Sequence, residues 1–293
     1  MSPPDFIPQN FLGLPRETSG YEAARIVVLP IGFEMTTSYG AGTRGGPEAV
    51  LAASRQVETY DAELDADLRD APIHTLDALA PDFSAPGAMV ERIRHAATRL
   101  LADSKWVLGL GGEHTVTLGL VQAARERHGR LSILQIDAHA DLRSTYEGTP
   151  FSHACVMRRC VEDGNRTVHV GIRNASREEV DFARREKLPI FWGRQCAAGD
   201  GWIGEAVAAL GGPVYLTVDV DGLDPGIIRT TGTPEPGGLA WWPTMRLLEE
   251  LFKRHEVVGA DVVELSAGGD PASDFAAAKL AAKIAALKLY GKR

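Results

Sequence analysis

Apolar residues fall along this chain in short unbroken runs, with longer stretches of helical spacing between them. The runs at 25–32, 106–111, 131–137, 167–171, 189–192, 214–219 and 257–265 lack the apolar/polar alternation of a half-exposed strand. Runs of that kind predict strands buried on both faces. Helical periodicity at 47–60, 88–104, 114–128, 153–163, 176–186, 201–210, 244–255 and 272–290 fills the intervals. Strand–helix alternation of this kind predicts a three-layer α/β/α fold with a mainly parallel central sheet. No low-complexity linker, repeat or charge block divides the chain, so one domain is expected over 1–293, with 1–20 as an N-terminal extension. The segment 61–86 is weakly patterned. The Gly/Pro-rich segment 224–238 is long for a loop, and long loops in compact domains are usually functional.

The 293 residues suit one large α/β domain. A net charge of −8 argues against a nucleic-acid groove and is compatible with a small cationic substrate. Cys155, Cys160 and Cys196 are odd in number and lack CxxC spacing, which gives neither a disulfide framework nor a thiolate zinc site. Residues 1–15 do not read as a signal peptide, and no apolar run approaches the roughly 18 residues of a membrane span. A cytoplasmic protein without a membrane or nucleic-acid partner is the expectation.

Two segments carry the chemistry. Asp137-Ala138-His139-Ala140-Asp141 follows one predicted strand, and Asp219-Val220-Asp221 closes another. Alternate residues of an extended segment point the same way, so both segments can aim ligands into one pocket. The carboxyl ends of strands are where open α/β sheets bind ligands. Carboxylates with few imidazoles and no thiolate suit a hard divalent ion such as Mn²⁺. His114, in Gly111-Gly112-Glu113-His114 at a strand-to-helix junction, is a sixth candidate ligand. Four aspartates would balance two divalent ions, and two-metal sites activate a water held between the ions. His153 opens a helical segment and could shuttle protons. Glu264 ends the last strand, where a carboxylate could hold a cationic group. Asp261, at the other end of that run, reads as structural.

These residues, with Asp219-Val220-Asp221-Gly222-Leu223-Asp224-Pro225, Gly232-Thr233-Pro234-Glu235-Pro236-Gly237-Gly238 and Asp261-Val262-Val263-Glu264, resemble the ureohydrolase family of arginases and agmatinases. The resemblance extends over most of the chain. It implies two manganese ions per subunit. One would be held by His114, Asp137, Asp141 and Asp219, the other by Asp137, His139, Asp219 and Asp221. It further implies that a bridging hydroxide oriented by Asp141 attacks the guanidinium carbon. Glu264 would bind the guanidinium nitrogens, and His153 would bind substrate and relay protons to the leaving amine. Relatives are commonly trimers or hexamers, so a homo-oligomer is expected.

Within the family the chain looks most like agmatinase, which cleaves agmatine to putrescine and urea in polyamine biosynthesis. The segment Leu142 to Gly148 lacks an evident arginase pattern for gripping an α-amino acid. Glu113 and Ala154 depart from residues common among relatives, without removing a proposed ligand. Arg143 leaves an alternative open. Pointing into the pocket, it would favour a guanidino acid such as 4-guanidinobutyrate; paired with a helix, it would leave the pocket to a cation. A non-catalytic metal-binding regulator would lack one of these residues, and all are present.

Overall fold

The computed structural model describes residues 7–291. Ten strands alternate with nine α-helices among them. In chain order they are β1 (Ile26–Ile31), α1 (Gly46–Ser54), β2 (Tyr60–Asp61), β3 (Ala66–Asp67), β4 (Ile73–Thr75), α2 (Pro86–Ala102), β5 (Trp106–Gly111), α3 (Val116–His128), β6 (Ser132–Ile136) and α4 (Val156–Glu162). There follow β7 (Arg166–Ile172), α5 (Arg177–Glu186), β8 (Ile190–Trp192), α6 (Gly193–Cys196), α7 (Gly201–Ala208), β9 (Val214–Asp219), α8 (Trp241–Arg254), β10 (Val257–Val263) and α9 (Pro271–Tyr290). Eight strands form one sheet in the order β4-β1-β5-β10-β9-β6-β7-β8, and every pair in it is parallel. β2 and β3 make a separate antiparallel hairpin.

Both sheet faces are covered, which is why the strands read as continuous apolar runs. Val27, Leu29 and Ile133 pack toward α2, α3, α4 and α5. Ile26, Val28, Leu134 and Ile136 pack on the other side with α1, α7, α8 and α9. Sequence patterning and structure agree on this architecture and on a single domain. α9 is built on alanine from 276 to 286, a composition of high helix propensity, and it starts where Asp270 caps Ser273 N ahead of Pro271. α5 starts in a capping box between Ser176 and Glu179.

Three differences from the sequence-based expectation have local causes. The helix expected over 47–60 stops at Ser54. The Ser54 hydroxyl bonds back to Leu51 O and accepts Leu12 N, and side-chain bonding of this kind competes with helix continuation. The weakly patterned 61–86 segment supplies β4, whose three residues are too few to show a period. It also supplies most of the hairpin, which is tied to α9 by Lys283 Nζ bonds to Asp61 (3.0 Å) and Glu63 (3.1 Å). Residues 1–6 of the expected N-terminal extension lie outside the described residues; further along, Phe11 and Leu14 are buried against the core. No helix among the described residues is long and apolar enough to cross a membrane.

Candidate metal centre and substrate cleft

The central strands β5, β10, β9 and β6 are neighbours, and each delivers a candidate residue at or just past its carboxyl end. His114 follows β5, Glu264 follows β10, Asp219 ends β9, and Asp137 follows β6. This is the ligand-binding edge of a parallel sheet. The ligands do not, however, sit on extended alternating segments as the sequence suggested. β6 stops at Ile136, and Asp141 takes a left-handed backbone conformation (φ 54°). After Asp219 the chain enters a 3₁₀ turn, Val220–Gly222. Carboxylates cap these turns: Asp137 Oδ1 accepts His139 N (2.6 Å), Asp219 Oδ1 accepts Asp221 N (2.9 Å), and Asp221 Oδ1 accepts Ala138 N (3.0 Å). Local hydrogen bonding therefore does the work that strand alternation was expected to do. Gly222 lets the two turns touch, since a Cβ there would stand 2.7 Å from Asp137 N.

The structure brings all six predicted ligands together. His114 Nδ1 lies 3.1 Å from Asp137 Oδ2, 2.9 Å from Asp141 Oδ2 and 3.4 Å from Asp219 Oδ2. His139 Nδ1 lies 3.0 Å from Asp221 Oδ2 and 3.7 Å from Asp137 Oδ1. Two groups of potential metal ligands result, His114/Asp137/Asp219 and Asp137/His139/Asp221, and Asp137 belongs to both. Burial pushes Asp219 well above the ordinary carboxylate range, helped by the charges of Asp221 and Asp137. Burial and the Asp137 charge push Asp141 up to about 7. Burial acts on Asp137 in the same direction, but the His114 and His139 imidazoles outweigh it and hold this carboxylate low.

The donor set fits a divalent metal. His114 Nδ1 is buried and close to three carboxylate oxygens, yet it makes no aligned hydrogen bond to any of them. Packing an imidazole nitrogen and several carboxylates together out of water is costly unless a cation lies among them. Oxygen and imidazole donors without thiolate match Mn²⁺ or Mg²⁺ better than a structural zinc site.

Glu264 and His153 border the same cleft, which is also lined by Ser38, Arg143, Tyr146 and Asn174. Glu264 Oε1 accepts His114 N at 2.7 Å. Burial raises the Glu264 carboxyl well above its usual range, although the His114 amide opposes this. His153 is pushed down to about 4, first by burial and then by the His114 and His139 charges. Its Nε2 lies 2.9 Å from Ser38 Oγ. Arg143 Nε stands 3.8 Å from Glu179 Oε2, with the guanidinium 5.1 Å from the Tyr146 ring centroid. Arg143 is thus paired with the first turn of α5.

Sequence reasoning missed two residues that shape this cleft. Glu113 stood out in the sequence only as a departure from the residue common among relatives; its carboxylate turns to the 33–40 loop and accepts Met35 N, Thr36 N and the Thr36 hydroxyl. Thr36 Oγ1 in turn lies 3.2 Å from His153 Nδ1. The partners are 77 and 117 residues apart, and no local pattern announces either contact. Asp224, at the start of the 224–238 loop, accepts Gly226, Gly237 and Gly238 amides and closes that loop on itself.

Fold and site together define an α/β protein that gathers two overlapping His/Asp clusters at the carboxyl edge of a parallel sheet. More specifically, the Arginase family model matches residues 24–287, and the chain belongs to that family. It is 42% identical over 285 residues to an N(1)-aminopropylagmatine ureohydrolase of Synechocystis, covering 94% of this chain and 93% of the relative. It is 40% identical to an enzyme of the same name from Thermus thermophilus, covering 92% of each chain. Among solved structures, the agmatine ureohydrolase of Thermoplasma volcanium superimposes with a TM-score of 0.86 at 30% identity, covering 98% of this chain and 96% of the other.

Proposed function

We propose that this protein is a manganese-dependent amidinohydrolase that releases urea from the guanidino end of an agmatine-type polyamine. Its substrate is N1-aminopropylagmatine, with agmatine as the shorter form it also accepts. The observation that carries the hydrolytic reading is the doubled His/Asp cluster sharing Asp137, with Glu264 beside it in one cleft. His114, Asp137, Asp141 and Asp219 would hold one ion, and Asp137, His139, Asp219 and Asp221 the other. When bound, the pair would supply Lewis-acid activation of water near neutral pH.

The protein's own groups do the rest. Glu264 has one oxygen committed to His114 N, which leaves the other for the guanidinium. A cation bound there compensates a carboxylate that burial otherwise disfavours. Asp141 orients the attacking oxygen by accepting a hydrogen bond from it at a carboxylate oxygen. His153, whose Nε2 is on the cleft side near Ser38, relays a proton to the leaving amine nitrogen. The products are urea and a free amine.

The agmatine substrate expected from sequence is extended here by an aminopropyl arm, and the names of the two relatives at 42% and 40% identity support that extension. A carboxylate tail is disfavoured because Arg143, the cation that would attract it, faces Glu179. The test is urea release by Mn²⁺-loaded protein from N1-aminopropylagmatine, agmatine, 4-guanidinobutyrate and arginine side by side. Preference for the aminopropyl compound is expected. Preference for 4-guanidinobutyrate would sink the cationic-arm reading, and absence of urea from all four would sink the hydrolase reading.

A further inference from the structure

Beneath the ligands the sheet carries a second polar row. Thr217 lies two residues before Asp219 and Gln135 two before Asp137, so each projects from the face its aspartate continues. In register, Thr217 pairs with Asp261 on one side and with Gln135 on the other, and Gln135 pairs with His169. The row Asp261–Thr217–Gln135–His169 thus crosses β10, β9, β6 and β7, and all four side chains are 0% exposed. Their chain neighbours Ala260, Val262, Leu216, Val218, Leu134 and Ile136 face the opposite, apolar layer. Buried polar side chains set side by side in a sheet are tolerated only if their hydrogen bonds are made.

The bonds in this row have a direction. Asp261 accepts the Tyr215 hydroxyl at 2.9 Å and the Thr217 hydroxyl at 2.7 Å. Having given its single proton to Asp261, Thr217 can only accept from His114 Nε2, 2.9 Å away. His114 Nε2 therefore carries a proton, so the nitrogen left for a metal is Nδ1, which faces Asp137, Asp141 and Asp219. On the other side, Gln135 Nε2 donates to Asp137 Oδ2 (2.7 Å) and to His139 O (3.2 Å). Its Oε1 must then accept from His169 Nδ1, while His169 Nε2 accepts the Thr167 hydroxyl at 2.9 Å.

We propose that this buried row is the positioning layer of the metal centre. Asp261 and Thr217 fix the His114 tautomer that presents Nδ1 to the ion, and His169 and Gln135 aim the shared ligand Asp137. Groups bonded to metal ligands commonly set metal affinity by holding the ligand's orientation. The inference rests on the metal-dependent reading above, and its test separates the two.

The full chain is purified metal-free as wild type, Thr217→Val, Thr217→Ser and Gln135→Leu, and Mn²⁺ binding is measured by calorimetry with metal analysis after dialysis. Wild type should bind two ions. Thr217→Val and Gln135→Leu should each bind at least one ion about 10–100-fold more weakly. Thr217→Ser, which keeps the hydroxyl, should recover affinity to within a few-fold of wild type. A merely structural role would lower the melting temperature of the metal-free variants without this pattern of affinity and rescue. Wild-type affinity in both variants, or Thr217→Ser no better than Thr217→Val, overturns the proposal. Should Thr217→Val fail to fold, Gln135→Leu decides by the same criterion. A wild-type protein that takes up no Mn²⁺ overturns the metal-dependent reading and the positioning layer together, whereas two ions in wild type with unaffected variants overturn the layer alone.

Discussion

Thr36 and Glu113 are joined through one proton: the Thr36 hydroxyl donates to Glu113 Oε1 at 2.8 Å. Glu113 Oε2 also takes the Met35 and Thr36 amides, which fixes the carboxylate and holds the hydroxyl in place. Thr36 can then meet His153 only as an acceptor, from the backbone N at 3.1 Å and from Nδ1 at 3.2 Å. A proton on His153 Nδ1 satisfies this contact and turns Nε2 to Ser38 Oγ, 2.9 Å away on the cleft side.

Thr36→Val removes that acceptor while keeping the side-chain volume. If His153 relays protons, kcat should fall by about tenfold or more, a part of the 10²–10⁴ that a positioned acid–base group contributes. Mn²⁺ uptake should stay at the wild-type level, and Thr36→Ser should retain most activity. Steady-state kinetics together with metal analysis check this. A Thr36→Val enzyme with unchanged kcat would remove His153 tautomer control from the mechanism.

Glu264→Gln should separate substrate binding from metal binding. Glutamine Oε1 can still accept His114 N, the bond that ties Glu264 to the ligand loop at 2.7 Å. Only the charge facing the guanidinium is lost. A charge-assisted hydrogen bond contributes roughly 1.5–3 kcal/mol, so KM should rise about 10–100-fold, with kcat lowered as well. Metal content should remain near two ions. Loss of metal in this variant would make Glu264 a ligand rather than a substrate group.

The sequence made the sheet and the ligands legible for the same physical reason: both are local. A run such as Val214–Asp219 is buried on both faces and reads as continuous apolar sequence, and a carboxylate at its end has no apolar partner and calls for a cation. The residues that went unread act across long separations. Glu113 closes on Thr36 through a loop whose own sequence shows no period, and β4 is too short to carry one. Gln135 and Thr217 did leave a trace, as polar residues placed two positions before Asp137 and Asp219 inside apolar runs. Only strand register could show that they lie side by side with Asp261 and His169.

Metal binding should be strongly pH-dependent. In the metal-free protein, burial would lower the His139 imidazole, but Asp137 and Asp221 outweigh it and push it up to about 12. His114 is likewise raised well above its ordinary value by Asp137, Asp141 and Asp219 against the effect of burial. At neutral pH both therefore hold a proton that a metal ligand must release. The charge on His139 stabilises the metal-free fold fully below its ordinary value of 6.5, and this contribution fades as pH rises toward about 12. Mn²⁺ affinity should accordingly increase from pH 6 to pH 8, by about tenfold per unit for each proton displaced. Calorimetry in buffers of different ionisation enthalpy should count those protons. An affinity that is flat across this range would mean that the imidazoles are already neutral.

His139→Ala tests whether the two clusters are separate centres. The groups His114/Asp137/Asp219 and Asp137/His139/Asp221 share Asp137 but not His139. Removing His139 leaves the first group whole, and with it the His114 nitrogen that faces three carboxylates. The His139 side chain is 23% exposed, so its loss leaves no closed cavity and the metal-free fold should melt close to wild type. The variant should retain one ion per chain and lose most activity, about 100-fold or more, because orienting water and substrate between two cations is lost with the second. Metal analysis and urea release on the same sample decide the matter. Two ions with wild-type turnover would mean that His139 is not a ligand, and that the carboxylates of Asp137, Asp219 and Asp221 hold the second ion without it.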